Sequence, residues 1–468
     1  MLRIFTPAIV FLITEISVSG QSVIPSGTDL HKKPNIVLIV ADDLGYADLG
    51  IHGSIQIRTP NIDKLAAEGV RFTQGYVTAP VCSPSRAGLL TGKNQVGFGY
   101  DNNVGGNQPG FDPEFLGLPI SEKTIADHLR PLGYVSGLIG KWHLGDEPQF
   151  HPLQRGFDEF WGYTGGGHDY FSASPDGKGY LSPIECNFKT PQPLTYITDD
   201  KGDECVHFIR RHKEKPFFLY ASFNAPHAPM QATEADLALF KNIPDQKRRT
   251  YCAMVYRLDI NVGKILKALE EEGLEKNTLV VFISDNGGPV DQNASINAPL
   301  NGQKGILLEG GIRVPFIVKW PEIFPGGQVS HEPVISTDLL PTFLEAAGME
   351  SSLNAQFDGI SLIPFLTGKT QKHLHQYFLW KFTISAAIRE GEWKLIRLPD
   401  RLPMLFNLQK DVSELNNLAL TYPEQTKKML RQLGLWDVGL PHPLFLEGAV
   451  WKKRQLELYD VQYPLAQP

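Results

Sequence analysis

Asn35-Ile36-Val37-Leu38-Ile39-Val40, followed at once by Ala41-Asp42-Asp43, decides the fold class of this chain. Residues 35–40 form a continuous apolar, β-branched run with no polar alternation. That pattern belongs to a strand covered on both faces, as in a parallel sheet. Runs of the same kind recur at Tyr134 to Ile139, Phe217 to Phe223, Thr278 to Ser284 and Val314 to Trp320. Helical patterns lie between them. One opens at Thr59-Pro60 and stops at Gly69, one runs from Ser121 to Leu129, and a longer one covers roughly Arg248 to Glu272. Strands alternating with helices predict an α/β domain, a large mixed but mostly parallel sheet between helices.

The residues just beyond each strand matter as much as the strands. The first run ends in Asp42-Asp43 and the second in Lys141-Trp142-His143. The third leads into Pro226-His227-Ala228-Pro229, and the fourth ends in Asp285-Asn286-Gly287-Gly288. Open α/β sheets bind ligands beyond the carboxyl ends of their strands. Four strands therefore deliver ionisable or metal-binding groups to one edge. Asp42, Asp43, Asp285 and Asn286 are the candidate metal ligands, and hard oxygen donors without zinc-type ligands favour calcium or magnesium. Read singly, each pair is equally well a helix cap or a turn.

A further motif is Cys82-Ser83-Pro84-Ser85-Arg86, continuing through Leu89-Leu90-Thr91-Gly92. It reads as a helix start, where the field of the helix favours negative charge at position 82. The same residues would suit a buried structural thiol and a surface arginine. Taken with the strand ends, the motif resembles the type I sulfatases, in which the Cys of Cys-x-Pro-x-Arg is oxidised to formylglycine. The resemblance runs from about Pro34 to Ala419, and its further motifs are Lys141-Trp142-His143-Leu144-Gly145, His227 between two prolines, and Lys304 in Asn301-Gly302-Gln303-Lys304-Gly305.

The resemblance implies an alkaline-phosphatase-like fold and hydrolysis of sulfate esters. It implies that the aldehyde hydrate at position 82 is the nucleophile and also a ligand of one calcium ion. Arg86 would hold the hydrate, Lys141 and Lys304 would contact the sulfate, and His143 would take a proton from the second hydroxyl. His227 would face the leaving oxygen. A formylglycine-generating maturation enzyme is then a required partner. The stretch Gln154 to Tyr163, running into Gly165-Gly166-Gly167-His168-Asp169-Tyr170, is similar to that of N-acetylgalactosamine 4-sulfatases and of bacterial sulfatases acting on galactans. A sulfated galactan or galactosaminoglycan is accordingly the expected substrate class. His168 and Asp169 are candidates for binding sugar hydroxyls, and Trp161 or Tyr170 for stacking on a ring. Phe157, Phe160 and Trp161 also fit a plain core. Two other readings stay open: a phosphonate or phosphate ester hydrolase of the same fold, and a non-catalytic calcium-dependent sugar-binding protein.

At 468 residues the chain accommodates one large domain and a smaller one. The net charge of −7, without any basic run, argues against a nucleic-acid partner. Arg3, the apolar stretch Ile4 to Ile13 and small residues to Gly20 read as a signal peptide over 1–20, hence an exported protein, periplasmic or secreted. That stretch is too short for a membrane anchor. The catalytic domain is then expected over 21–365. Residues 366–468 are expected to form a small α+β subdomain, with short strands at Gln376 to Leu379, Ser385 to Arg389, Trp393 to Leu398 and Leu405 to Leu408, and a helix near Glu424 to Leu433. Four cysteines are too few for a disulfide framework. A Cys186–Cys205 bridge is compatible with export, but spacing does not decide it.

Overall fold

The computed structural model describes residues 33–104, 113–187, 193–349, 356–445 and 449–464. The expected signal peptide lies outside them. Ten strands build the main sheet: β1 (Asn35–Ala41), β2 (Val70–Tyr76), β3 (Val135–Lys141), β4 (Glu159–Tyr163), β5 (Glu185–Cys186), β6 (Phe217–Ser222), β7 (Thr278–Ser284), β8 (Arg313–Lys319), β9 (Gln328–Ser330) and β10 (Val334–Ile335). Their order is β10-β2-β8-β7-β1-β6-β3-β4-β5, with β9 also on β2. β1 is central and pairs in parallel with β6 and β7. β8 runs against both β7 and β2, so the sheet is mixed.

β1 shows why a continuous apolar run was needed. Successive side chains leave a strand on opposite faces. Ile36, Leu38 and Val40 enter one core, with the helices Cys82–Thr91 and Leu339–Ala346. Val37, Ile39 and Ala41 enter the other, with the helices Pro60–Ala67, Ile197–His212 and Gln246–Glu271. All seven β1 residues are buried.

Four further strands, β11 (Phe378–Phe382), β12 (Ser385–Glu390), β13 (Trp393–Arg397) and β14 (Met404–Asn407), form an antiparallel meander. The helix Pro423–Val438 covers one face through Met429 and Leu433. The other face packs Trp380, Phe382 and Phe406 against Tyr76, Val81 and Ile306 to Leu308. The Trp380 indole donates to Val77 O at 2.8 Å. This small sheet therefore buttresses the chain on either side of the site, before Cys82 and after Lys304.

Some expectations needed adjustment. The helix expected from Ser121 is confined to Ile125–Leu129, because Thr124 and Asp127 form the capping box. The Gln376 strand begins at Phe378. β2 and β4 carried too weak an apolar pattern to be read as strands. Cys205 and Cys252 are buried thiols, and the Cys186–Cys205 bridge is not formed. No helix among the described residues is long and apolar enough to cross a membrane.

Candidate active site

The carboxyl ends of β1, β3, β6 and β7 meet the N-terminus of the helix Cys82–Thr91. The helix begins at Cys82 itself, and every one of its residues is buried. Ser83 ties it to the end of β3, donating through Oγ to His143 O at 2.7 Å. Gly88 permits close packing behind it, since a Cβ there would stand 2.2 Å from Thr78 Oγ1.

Cys82 lies between acids and a cation. Its Sγ is 3.3 Å from Asp42 Oδ1 and 3.1 Å from Lys304 Nζ. Burial, together with Asp285 and Asp42, pushes the thiol well above its ordinary pKa. The unmodified side chain is thus a neutral thiol that donates to Asp42, a poor nucleophile. Arg86 reaches back along the same helix. Its Nε and Nη2 stand 2.9 and 2.8 Å from Asp285 Oδ2, and Nη1 donates to Ser222 Oγ at 2.6 Å.

Asp42, Asp43 and Asp285 offer carboxylate oxygens that lie with Cys82 Sγ within 4.8 Å of one another. Asn286 donates to Asp43 Oδ1 at 2.7 Å. Its Oδ1 is buried without a hydrogen-bond partner among the described residues, which leaves it free to serve as an oxygen donor. This set fits a hard divalent cation. Asp43 holds a left-handed backbone, φ 65°, as does His143 at 59°. Such conformations cost ~1–3 kcal/mol and cluster at functional sites.

Two lysines face the acids. Lys141, at the end of β3 and fully buried, lies 2.6 Å from Asp42 Oδ2. Lys304 straddles both oxygens of Asp43 at 2.7 and 2.9 Å. Burial pushes the Asp42 carboxyl up, but Lys141 and the other nearby cations outweigh it and hold it well below its usual range. Asp285, beside Asp42, is instead pushed by burial to about 6.

The histidines have defined tautomers, because a backbone carbonyl can only accept. His143 Nε2 stands 3.0 Å from Val104 O and so carries the hydrogen. Its Nδ1, buried with no hydrogen-bond partner among the described residues, is a bare acceptor. Burial, with Lys141 and Arg86, holds the ring well below its ordinary pKa, hence neutral. His227 Nδ1 donates to Ala228 O at 2.6 Å, which turns Nε2 toward Asp43 Oδ2 at 3.6 Å.

The structure thus brings together Asp42, Asp43, Cys82, Arg86, Lys141, His227, Asp285, Asn286 and Lys304, with His143 alongside. It does not turn His168 outward. That ring is wholly buried, with Nδ1 2.6 Å from Asp169 O and Nε2 2.7 Å from Ser182 O, so neither nitrogen is open to a sugar. Asp169 spends its carboxylate on the amides of Phe171 and Ser172 and on Gln231. Phe157, Phe160 and Trp161 are core, and Tyr170 is buried with its hydroxyl on Asn224 O and His227 O. The buried residues of this group, His168, Tyr170, Phe157, Phe160 and Trp161, pack within the fold.

Sequence reasoning missed Lys201. It is fully buried on the helix Ile197–His212, donates to Asn224 Oδ1 at 2.6 Å and lies 4.9 Å over the Tyr163 ring. It braces the loop that carries His227. It also missed the segment Ala449–Glu457, where Gln455 Nε2 holds Gly305 O at 3.0 Å, next to Lys304. An amphipathic helix pattern betrays neither contact.

Residues 34–349 match the Sulfatase family model, and residues 303–435 match that of the N-sulphoglucosamine sulphohydrolase C-terminal region. An N-acetylgalactosamine-6-sulfatase of Canis lupus familiaris is 37% identical over 381 residues, covering 77% of this chain and 71% of the relative. The crystal structure of Ps i-CgsB in complex with k-i-k-neocarrahexaose superposes with a TM-score of 0.83 at 38% identity, covering 92% of this chain and 100% of that one. A phosphonate monoester hydrolase from Silicibacter pomeroyi, at 20% identity and a TM-score of 0.64 over 87% of this chain and 96% of that one, shares the fold alone. The chain belongs to the sulfatase family and is a sulfuric ester hydrolase.

Proposed function

We propose that this sulfatase removes sulfate from a carbohydrate of the galactan or galactosaminoglycan type, with formylglycine formed from Cys82 as nucleophile and one calcium ion beside it. The observation that carries the reading is the convergence of position 82 with three carboxylates and with Lys141, Lys304 and His227. The names of the relatives support the substrate class, one an N-acetylgalactosamine-6-sulfatase and one bound to a neocarrahexaose.

The geometry supports a role for each residue. Asp42, Asp43, Asp285 and the free Asn286 Oδ1 would hold the calcium ion, which supplies positive charge against a sulfate oxygen. Formylglycine formed from Cys82 would supply, as its hydrate, two hydroxyls on one carbon, the nucleophile and its partner. Lys141 and Lys304 bind the sulfate and balance its charge in the transition state. Arg86, fixed by Asp285 and Ser222, orients position 82. His143, neutral and bare at Nδ1, accepts the proton that must leave before sulfate does. His227 presents Nε2 to the ester oxygen. We further propose export through residues 1–20.

The test is release of inorganic sulfate from sulfated galactan and galactosaminoglycan oligosaccharides, using protein whose Cys82 peptide shows the mass of formylglycine. Release establishes the reading and identifies the sugar. Fully converted protein that hydrolyses a phosphonate ester but none of these sugars overturns it.

A further inference from the structure

Tyr180 stands out once the buried aromatics are set aside. It is 45% exposed, whereas Trp161 and Tyr170 are buried. Its ring centroid lies 6.4 Å from that of His227. The ring rests on the backbone of Gly167, where a Cβ would come within 2.6 Å of Cζ. Its hydroxyl is within electrostatic reach of Lys141, Lys304, Asp42 and Cys82. The backbone beneath is fixed too. Asp169 N donates to Tyr180 O at 2.8 Å, and the buried His168 ring lies between Asp169 O and Ser182 O.

The neighbouring floor is bare backbone. Gly166 abuts the His143 ring, and a Cβ on Gly165 would meet nothing within 4 Å. A half-exposed aromatic on a rigid loop, beside the histidine that faces the ester oxygen, offers a flat apolar surface to whatever carries the sulfate. Pyranose rings present such a surface through their C–H face, and aromatic side chains bind apolar faces of this kind well.

We infer that Tyr180 is the platform for the sugar ring bearing the scissile sulfate, with Gly167 kept free of a side chain so that the ring can lie there. This inference rests on the carbohydrate reading above. It makes Tyr180 a specificity-determining residue, and it gives His168 and Asp169 the task of holding its loop.

The experiment compares wild type, Tyr180→Ala, Tyr180→Phe, Gly167→Ala and the double variant Gly167→Ala/Tyr180→Ala, all with formylglycine content matched. Sulfate release from the best sulfated oligosaccharide gives kcat and KM, inhibition by inorganic sulfate probes the anion site, and Tm reports folding. Tyr180→Ala is expected to raise KM roughly tenfold, equivalent to about 1.4 kcal/mol. Tyr180→Phe should retain the wild-type KM, and inhibition by inorganic sulfate and Tm should be unchanged in both. Gly167→Ala should mimic Tyr180→Ala by displacing the ring, and the double variant should be no worse than either. An unchanged KM in Tyr180→Ala overturns the inference while leaving the carbohydrate reading intact. Wild type that hydrolyses 4-nitrophenyl sulfate but no sulfated oligosaccharide overturns both.

Discussion

Arg86 closes on a single oxygen of Asp285 from two nitrogens, Nε at 2.9 Å and Nη2 at 2.8 Å, while its Nη1 holds Ser222. All of this is fully buried, so the pair is costly to break and geometrically exacting. Lysine carries the charge but not the fork. Arg86→Lys is expected to destabilise the fold by about 3 kcal/mol and to lower kcat at least tenfold. Denaturant unfolding and sulfate release check this, and wild-type values in both would remove Arg86 from its assigned role.

Position 82 makes a different demand. Its side chain is small, and its hydrogen-bonding partners among the described residues are Asp42, Asp43 and Lys304. Cys82→Ala is expected to abolish turnover while shifting stability by no more than about 1 kcal/mol. Substantial sulfate release from that variant would show that another group is the nucleophile.

The acid cluster yields a binding prediction. Calcium added to chelator-treated protein should raise the unfolding free energy, by about 2.7 kcal/mol at a hundredfold excess over Kd. Asn286→Ala, which deletes the free Oδ1 donor, should reduce that gain. A calorimetric scan that shows no shift with calcium or magnesium would remove the metal from this site.

A pH effect is expected where the small sheet meets Glu309. Lys394 on β13 is fully buried and lies 2.8 Å from both Glu309 and Glu414. Burial pushes the Glu414 carboxyl up, to about 7 against an ordinary 4.5, while Lys394 pulls the other way and Glu309 adds to the rise. A raised carboxyl pKa means that the folded state binds the proton more tightly than the unfolded chain. The stabilisation is therefore complete below 4.5 and is lost as pH rises through about 7. Glu414→Gln should flatten the fall in stability across that interval relative to wild type. Parallel stability–pH curves for the two proteins would contradict it.

Much of this molecule was legible along the chain. Residues 35–40, 134–139, 217–223 and 278–284 announced a buried parallel sheet because strands covered on both faces tolerate no polar alternation. The acids and bases after those strands share one edge because parallel strands end together. That placed Asp42, Asp43, Lys141, His143, His227, Asp285 and Asn286 in one region without coordinates. The motif around Cys82 added position 82 as the candidate nucleophile through its resemblance.

Only the tertiary structure decided which way the polar and aromatic loop residues face. His168 and Tyr170 look like ligands in the sequence, yet they are buried by Ser182 O, Asn224 O and His227 O, partners 14 to 57 residues away. Tyr180, which carries no motif, is left in the open beside His227. Lys201 reaches Asn224 and Lys394 reaches Glu309 across comparable or longer separations. A strand's periodicity is a local property fixed by backbone geometry. The direction of a loop side chain depends on which distant groups satisfy its hydrogen bonds, and only the folded chain supplies them.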